Sequence, residues 1–283
     1  MSLANRETKE RTGDAKATVL DLFRLAWRTV LITGGGGAVG LEIARSVLEV
    51  GGDVICFDHQ DEALQEPWDA AIAVAGEHKS NIWYYQYDVT NTDDLARIME
   101  YALSKTRFPL QGLVTCHGLS AGGPAMDFSL DKVRQLLDVN LTGTFAIAQA
   151  AAKVFQQEEV SGSIVFFASM SAHVCNKGVD TAAYNASKAA VVQLARSLAG
   201  EWGGRKECPL IRVNTISPGY IRTRQTADTL KEPGMEAQWS GDNMMNRLSF
   251  ADEYRGAALY LLSDASSFVT GTDLRVDGGH TAW

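Results

Sequence analysis

Several things are scarce in this 283-residue chain. It has four cysteines (Cys56, Cys116, Cys175, Cys208), widely scattered, with no CxxC pair and no histidine at ligand spacing. A disulfide framework and a zinc site are both excluded as organising features, and a reducing aqueous compartment, the cytoplasm, is the expectation. No run of about 18 apolar residues is present for a membrane span. The opening stretch MSLANRETKERTGDAKATV is polar and mixed in charge, unlike a signal peptide. Basic charge is also short, 26 Lys and Arg against 34 Asp and Glu for a net charge of −8, with no clustered basic face of the kind nucleic acid requires. What remains is an ordinary globular composition, 46% hydrophobic and 21% charged, long enough to bury a large core in one domain.

Apolar runs of strand length alternate with helix-period segments: TVLIT, GLEIARSVLEVG, DVICFD, NTDDLARIMEYALS, GLVTCHG, an Ala-rich stretch, then SIVFFAS. Continuous apolar strands such as VICF and IVFF belong to parallel sheets covered on both faces. The rhythm therefore predicts an α/β fold, a single-domain, Rossmann-type, doubly wound parallel sheet with helices on both faces. Residues 1–25 read as a tail with a short docking segment within VLDLFRLAW, and 26–283 as the domain itself.

The first strand runs into four glycines, TVLITGGGGAVG over residues 29–40. At the first strand-to-helix turn of such a sheet, glycine lets a dinucleotide pyrophosphate approach backbone N–H groups and the positive end of a helix. Gly35, Gly37 and Gly40 satisfy G-x-G-x-x-G; Thr33, Gly34 and Gly40 fit T-G-x-x-x-G-x-G with Ala38 in place of the middle glycine. Asp58 closes the second strand 18 residues after Gly40, where a carboxylate accepts hydrogen bonds from ribose hydroxyls and repels a 2′-phosphate. NAD is favoured over NADP. His59 does not supply the fixed positive charge of an NADP site.

Further along, Tyr184 and Lys188 stand four apart in a helical stretch, placing phenol and ammonium on one face. An ammonium held beside a phenol favours the phenolate and moves its pKa down from about 10, toward the range where it exchanges a proton with an alcohol or carbonyl. Ser169, at the end of SIVFFAS, adds a hydroxyl that can hold a carbonyl oxygen.

These motifs resemble the short-chain dehydrogenase/reductase family, from about Ala26 to Trp283. The Y-x-x-x-K motif reads Tyr184-Asn-Ala-Ser-Lys188, the loop motif TGGGGAVG, the D-V after the third strand Asp88-Val89, and the helix asparagine is Asn140 in LDVNLTGTF. SPGYIRT and the ending VDGG match as well. The resemblance implies Tyr184 as acid/base, Lys188 on the nicotinamide ribose, Ser169 orienting the substrate oxygen and Asn140 holding a water in a proton relay. It implies cofactor contacts from Gly34, Gly36, Gly37, Val39, Gly40, Asp58, Asp88, Val89 and Gly118. Asn140, Tyr184 and Lys188 join these, with Pro218, Gly219, Ile221 and Thr223 beside the nicotinamide. Ser171, His173 and Tyr220 are the substrate candidates, and no metal is implied.

Ser171 stands 13 residues before Tyr184, the commonest family spacing, and Ser169 stands 15 before. Gapless alignment of the strand selects Ser169, with the two extra residues in the loop HVCNKGVDT and Ser171 one strand-step further on the same face. Two departures concern cofactor support: Ala38 for glycine, and TCHG at 115–118 for N-N-A-G, which removes a hydrogen bond tying neighbouring strands. His117 within it reads as a packed or bonded residue rather than an extra acid.

The text is most similar to fungal-type polyol and ketose reductases such as D-arabinitol 2-dehydrogenase, sorbose reductase and L-xylulose reductase-like proteins. This implies an NAD(H)-dependent oxidoreductase interconverting a secondary alcohol and a ketone, with a polyol or ketose as substrate. Segment 224–246 reads as a substrate lid carrying Met235, Trp239, Met244 and Met245. So apolar a lid also suits a bulkier hydrophobic substrate, as for a tailoring reductase or a non-redox cyclase or isomerase of secondary metabolism. The segments 141–155 and 182–200 carry small apolar residues on more than one face, which predicts a homotetramer or homodimer through a four-helix interface.

Overall fold

In a computed structural model, residues 18–204, 209–224 and 226–283 are described. Most of the predicted N-terminal tail and Cys208 lie outside them. The docking segment is present as one helical turn, α1 (Val19–Leu22), opened by a capping box between Thr18 and Asp21. Leu25 just beyond it is buried, and its N–H donates to Val50 O at 3.1 Å.

Seven strands form one parallel sheet: β1 (Thr29–Thr33), β2 (Asp53–Asp58), β3 (Ile82–Gln86), β4 (Leu110–Thr115), β5 (Gly162–Phe167), β6 (Ile211–Pro218) and β7 (Asp273–Val276). Their spatial order is β3-β2-β1-β4-β5-β6-β7. The doubly wound sheet read from the sequence is the observed one. β1, β2, β5 and β6 are buried at every residue, as their unbroken apolar runs require, whereas the edge strand β3 is half-exposed.

Alternation along each strand feeds two cores. Val30, Ile32, Val54 and Cys56 face one layer, packed with α2 (Ala38–Glu49), α3 (Gln65–His78) and α9 (Arg255–Leu262). Leu31, Ile55 and Phe57 face the other, packed with α4 (Leu95–Leu103), α6 (Thr144–Gln157) and α7 (Ala182–Trp202). The sequence reading had passed over α3, an alanine-rich helix with a weak apolar stripe and Pro67 in its first turn, where proline is tolerated. The chain is completed by α5 (Leu130–Leu137) and, in the predicted lid, α8 (Met235–Gly241). Among the described residues no helix is long and apolar enough to cross a membrane.

Candidate active site

The strand order reverses at β1, which pairs with β2 on one side and β4 on the other. A crevice opens there at the carboxyl ends of the strands, the place where doubly wound sheets bind ligands. It consists of an outer groove of about 540 Å³ and an inner cavity of about 240 Å³, which share Val39, Cys116 and Thr223 in their walls.

The glycine run borders the groove, but not every glycine is there for a ligand. Gly34 has φ +68°, and a Cβ on it would lie 2.5 Å from the backbone nitrogen of His117. A Cβ on Gly35 would meet Cys56 at 2.7 Å, and one on Gly40 would collide with the Gly34 carbonyl oxygen. These three positions are dictated by the protein's own close approach. Gly37 differs: its nearest foreign atom is Gly34 O at 3.4 Å, so the protein leaves room there. Gly37 is also the N-cap of α2 and offers no side-chain acceptor, which leaves the first N–H groups of that helix open to the groove. Ala38 is the first helical residue, its methyl on the groove wall.

Asp58 is buried at the end of β2 and fixed from both sides. Its Oδ2 accepts from Gly36 N at 3.0 Å, and its Oδ1 accepts from Gln60 N at 3.2 Å and lies 3.0 Å from His59 Nδ1. The carboxylate thus braces the glycine turn while lining the groove. Glu62 and Leu64 from the loop after β2 and Arg224 from the segment after β6 line it too; the sequence analysis does not single them out as groove residues because the loop after β2 bears no motif and Arg224 lies just past SPGYIRT. Asp88 and Val89 line neither hollow. Asp88 Oδ1 accepts from Thr90 N at 2.9 Å and Thr90 Oγ1 at 2.8 Å, and Val89 packs where a Cβ on Gly143 would stand.

Ser169, Tyr184 and Lys188 meet in the inner cavity. Ser169 follows β5 and caps a short 3₁₀ turn, its Oγ accepting from Ser171 N at 3.1 Å. Tyr184 and Lys188 share one face of α7. Burial pushes the Tyr184 phenol above its ordinary range, and a hydrogen bond with Ser169 pulls the other way. The expected depression by Lys188 is not what the geometry produces: Lys188 Nζ lies 6.0 Å from the ring centre and donates to Phe167 O at 2.9 Å. Burial instead lowers the lysine itself, to about 8. Gly118 faces this ammonium; a Cβ there would sit 3.3 Å from Nζ.

Asn140 lies in a π-helical turn, Asp138–Gly143, between α5 and α6. Its amide is committed: Oδ1 accepts from Leu119 N at 2.8 Å, and Nδ2 donates to Leu119 O at 2.9 Å and to Ser187 Oγ at 2.9 Å. Asn140 therefore clamps the loop carrying Gly118 and does not line the cavity, so the side chain is not the free water ligand that was expected.

The other candidates separate. Pro218, Gly219, Ile221 and Thr223 line the inner cavity, with Gly219 pressed so close to Asp277 that a Cβ would meet its Cα at 2.9 Å. Ser171 lines the cavity, but from the 3₁₀ turn Met170–Ala172 and not from a continuing strand. Its Oγ donates to Asn176 Oδ1 at 3.0 Å, and Asn176 Nδ2 donates to Thr181 Oγ1 at 3.1 Å. His173 is a correction. The same turn swings its ring behind the cavity, where Nε2 lies 2.8 Å from Asp273 Oδ2 and 3.4 Å from Ser217 Oγ.

His117 fills the gap left by the N-N-A-G departure. Its Nδ1 lies 2.5 Å from Thr33 Oγ1 and its Nε2 lies 3.2 Å from Thr144 Oγ1, linking the end of β1 to α6. Burial lowers its pKa to about 3, so the ring is neutral and cannot serve as an acid near neutral pH. The tie between neighbouring strands expected to be lost is made by a different residue.

Of the four large apolar residues in the lid segment, only Trp239 lines the inner cavity. It stacks on Tyr220 with ring centres 3.9 Å apart and planes 2° from parallel. Met244 and Met245 are exposed.

Residues 36–281 match the family described as Enoyl-(Acyl carrier protein) reductase. The chain is 51% identical over 278 residues to the short chain dehydrogenases/reductase notP' of Aspergillus versicolor, covering 98% of this chain and 95% of that one. It is 33% identical to the D-arabinitol 2-dehydrogenase [ribulose-forming] of Candida tropicalis, covering 94% and 96%. The solved structure of the NADPH-dependent 3-quinuclidinone reductase from Rhodotorula rubra superposes with a TM-score of 0.84 at 31% identity, over 94% of this chain and 96% of that one. With Ser169, Tyr184 and Lys188 brought into one cavity beside the glycine-rimmed groove, these likenesses establish an oxidoreductase acting on CH–OH groups: the chain belongs to the short-chain dehydrogenase/reductase family.

Proposed function

We propose that the protein interconverts a secondary alcohol and a ketone with NAD(H), Tyr184 exchanging the proton at the substrate oxygen. The observation that carries this reading is the meeting of Ser169, Tyr184 and Lys188 in the inner cavity, continuous with a groove rimmed by an open helix N-terminus and a carboxylate. The N–H groups at Ala38 and Val39 suit a pyrophosphate, Asp58 suits a ribose diol, and Lys188 beside Gly118 suits the second ribose. A bound dinucleotide supplies hydride exchange at its nicotinamide ring.

The chain's own groups handle the rest. In reduction, the Tyr184 hydroxyl gives its proton to the carbonyl oxygen as the carbon gains a hydride; in oxidation the phenolate takes the hydroxyl proton as the hydride leaves. The Ser169 hydroxyl hydrogen-bonds the same oxygen and holds it in reach. Lys188, held on Phe167 O, keeps its ammonium beside Gly118, and Asn140 keeps the Gly118 loop in place.

Preference for NAD rests on Asp58, since a 2′-phosphate there meets like charge. The NADPH dependence of the Rhodotorula reductase makes that discrimination the finer point to measure. We also assign segment 224–246 as the substrate lid. A homodimer or homotetramer through the outer faces of α6 and α7 is inferred from exposed Phe145, Ala186, Ala189 and Gly200, and a monomer by light scattering overturns it. The free cysteines Cys56, Cys116 and Cys175 suit a reducing compartment such as the cytoplasm.

The test is the reduced-nicotinamide absorbance of the purified chain supplied with secondary alcohols and NAD, or with ketones and NADH. Turnover in either direction is expected. Absence of any absorbance change with both classes and both cofactors defeats the reading.

A further inference from the structure

The hydrogen-bonded ladder between β5 and β6 stops just short of the reacting groups. Its last rung is Ala168 N donating to Ile216 O at 2.8 Å, one residue before Ser169. From there the chain leaves the sheet through the 3₁₀ turn Met170–Ala172, whose backbone bonds are local: Ala172 N donates to Ser169 O, and His173 N and Val174 N donate to Met170 O. Bonds of this kind hold the shape of a turn but not its tilt against the neighbouring strands. A further contact has to supply that.

The His173 side chain supplies it. Asp273 Oδ1 on β7 accepts from two hydroxyls of β6, Thr215 Oγ1 at 2.5 Å and Ser217 Oγ at 2.7 Å. The carboxylate is 7% exposed, and its second oxygen, Oδ2, has no hydrogen bond among the described residues. Such a buried oxygen is costly unless a cation or an N–H stands beside it. What stands there is the His173 imidazole, with Nε2 lying 2.8 Å from Oδ2 and 3.4 Å from Ser217 Oγ. The cluster is no serine nucleophile, because the Ser217 proton goes to Asp273 and neither Ser217 nor His173 lines the inner cavity. It joins elements instead. His173 closes the turn that Ser169 opens, Ser217 precedes Pro218 at the end of β6, and Asp273 begins β7, which runs on to the Asp277 that Gly219 presses against.

We propose, on the alcohol/ketone reading given above, that His173 is a positioning residue: drawn onto the buried Asp273 carboxylate, it locks the Ser169 turn to β6 and β7 and fixes the serine hydroxyl relative to Pro218 and Gly219. In that reading Ser169 holds the substrate oxygen while Pro218 and Gly219 flank the nicotinamide, so the lock sets the alignment of the reacting atoms and not the affinity for either reactant. A displacement of about 1 Å between such groups costs about 10²-fold in rate.

The experiment compares His173→Leu, which keeps bulk without a donor, and His173→Gln, whose amide can still donate to Asp273, in the full chain. With a secondary alcohol found by the nicotinamide absorbance assay, kcat per NAD-binding site is expected to fall at least about tenfold in the Leu variant, with KM and the dissociation constant for NAD within about threefold of wild type. The Gln variant is expected to recover kcat to within about threefold of wild type. Hydrogen exchange of the cofactor-free Leu variant is expected to quicken about tenfold in segment 169–174 and to stay unchanged in β5 and β6. A Leu variant with wild-type kcat overturns the proposal, as does a Gln variant no better than Leu. Exchange unchanged in the turn, or quickened across the whole sheet as a merely structural role requires, overturns it as well. Should wild type turn over no alcohol or ketone, the alcohol/ketone reading fails, and the exchange pattern by itself decides the lock.

Discussion

Thr33 Oγ1 and His117 Nδ1 stand 2.5 Å apart, a side-chain tie between the ends of β1 and β4 at the point where the sheet reverses its order. It holds the glycine turn that follows Thr33 against the loop that carries Gly118. Both hollows of the site depend on that registration, which makes His117 a positioning residue.

Because burial lowers His117 to about 3, its folded pKa lies below the ordinary value near 6.5. Between those two values the unfolded chain binds a proton that the folded chain does not. Its contribution to stability is complete above pH 6.5 and is lost as the pH falls toward 3. His117→Asn, which cannot titrate, is expected to flatten the acid limb of a denaturant-stability profile by about 1.4 kcal/mol per pH unit in that window. An unchanged slope refutes the assignment.

Lys188 carries a related signature, since burial lowers it to about 8 from about 10.5. Below pH 8 both states hold the proton and the folded one bears the cost of a buried charge. Between pH 8 and 10.5 that cost is relieved and stability rises with pH. Lys188→Met is expected to be more stable than wild type at pH 7 by about 1–3 kcal/mol, with the gap closing by pH 10.5, and to lose turnover. Thermal melts of the cofactor-free chain at the two pH values decide it.

Tyr184→Phe removes the hydroxyl that exchanges the proton while keeping the ring. Turnover is expected to fall by roughly 10²–10⁴-fold with the dissociation constant for NAD within about threefold of wild type. Retained turnover by nicotinamide absorbance removes Tyr184 from the mechanism.

Gly34 and Gly37 separate glycine required by the fold from glycine that leaves room for a ligand. Gly34→Ala places a Cβ 2.5 Å from backbone at positive φ and is expected to cost at least about 2 kcal/mol or to prevent folding. Gly37→Ala meets nothing closer than 3.4 Å; it is expected to fold within about 1 kcal/mol of wild type and to bind NAD about tenfold more weakly. Equal stability of the two variants in urea titrations contradicts this division.

Asp58→Ser removes the like charge that a 2′-phosphate meets. The ratio of kcat/KM for NADP to that for NAD is expected to rise at least about tenfold, with some loss of stability because Gly36 N loses its acceptor. A wild-type enzyme that already prefers NADP corrects the cofactor assignment outright.

Strand and helix were legible wherever a local pattern had only one physical solution. The unbroken apolar runs of β1, β2 and β5 require burial on both faces, and four-residue spacing on a helix puts Tyr184 and Lys188 side by side in any tertiary context. Extending the strand to its end also leads to Ser169, which lies in the cavity with Tyr184. By contrast α3 was not, because its alanines give little contrast between faces.

The chain's own order of residues thus determined the sheet, the glycine turn and the tyrosine–lysine pair, all of which follow from short-range periodicity and backbone sterics. Where His173 turns, what Asn140 clamps, how His117 replaces a missing tie and which residues of segment 224–246 reach the cavity were decided only by packing. Each of those outcomes joins residues far apart in the chain, as with Trp239 on Tyr220 or His173 on Asp273. The direction of the Tyr184 shift is of the same kind, because burial is a property of the assembled layers and outweighs what a neighbouring charge suggests from spacing alone.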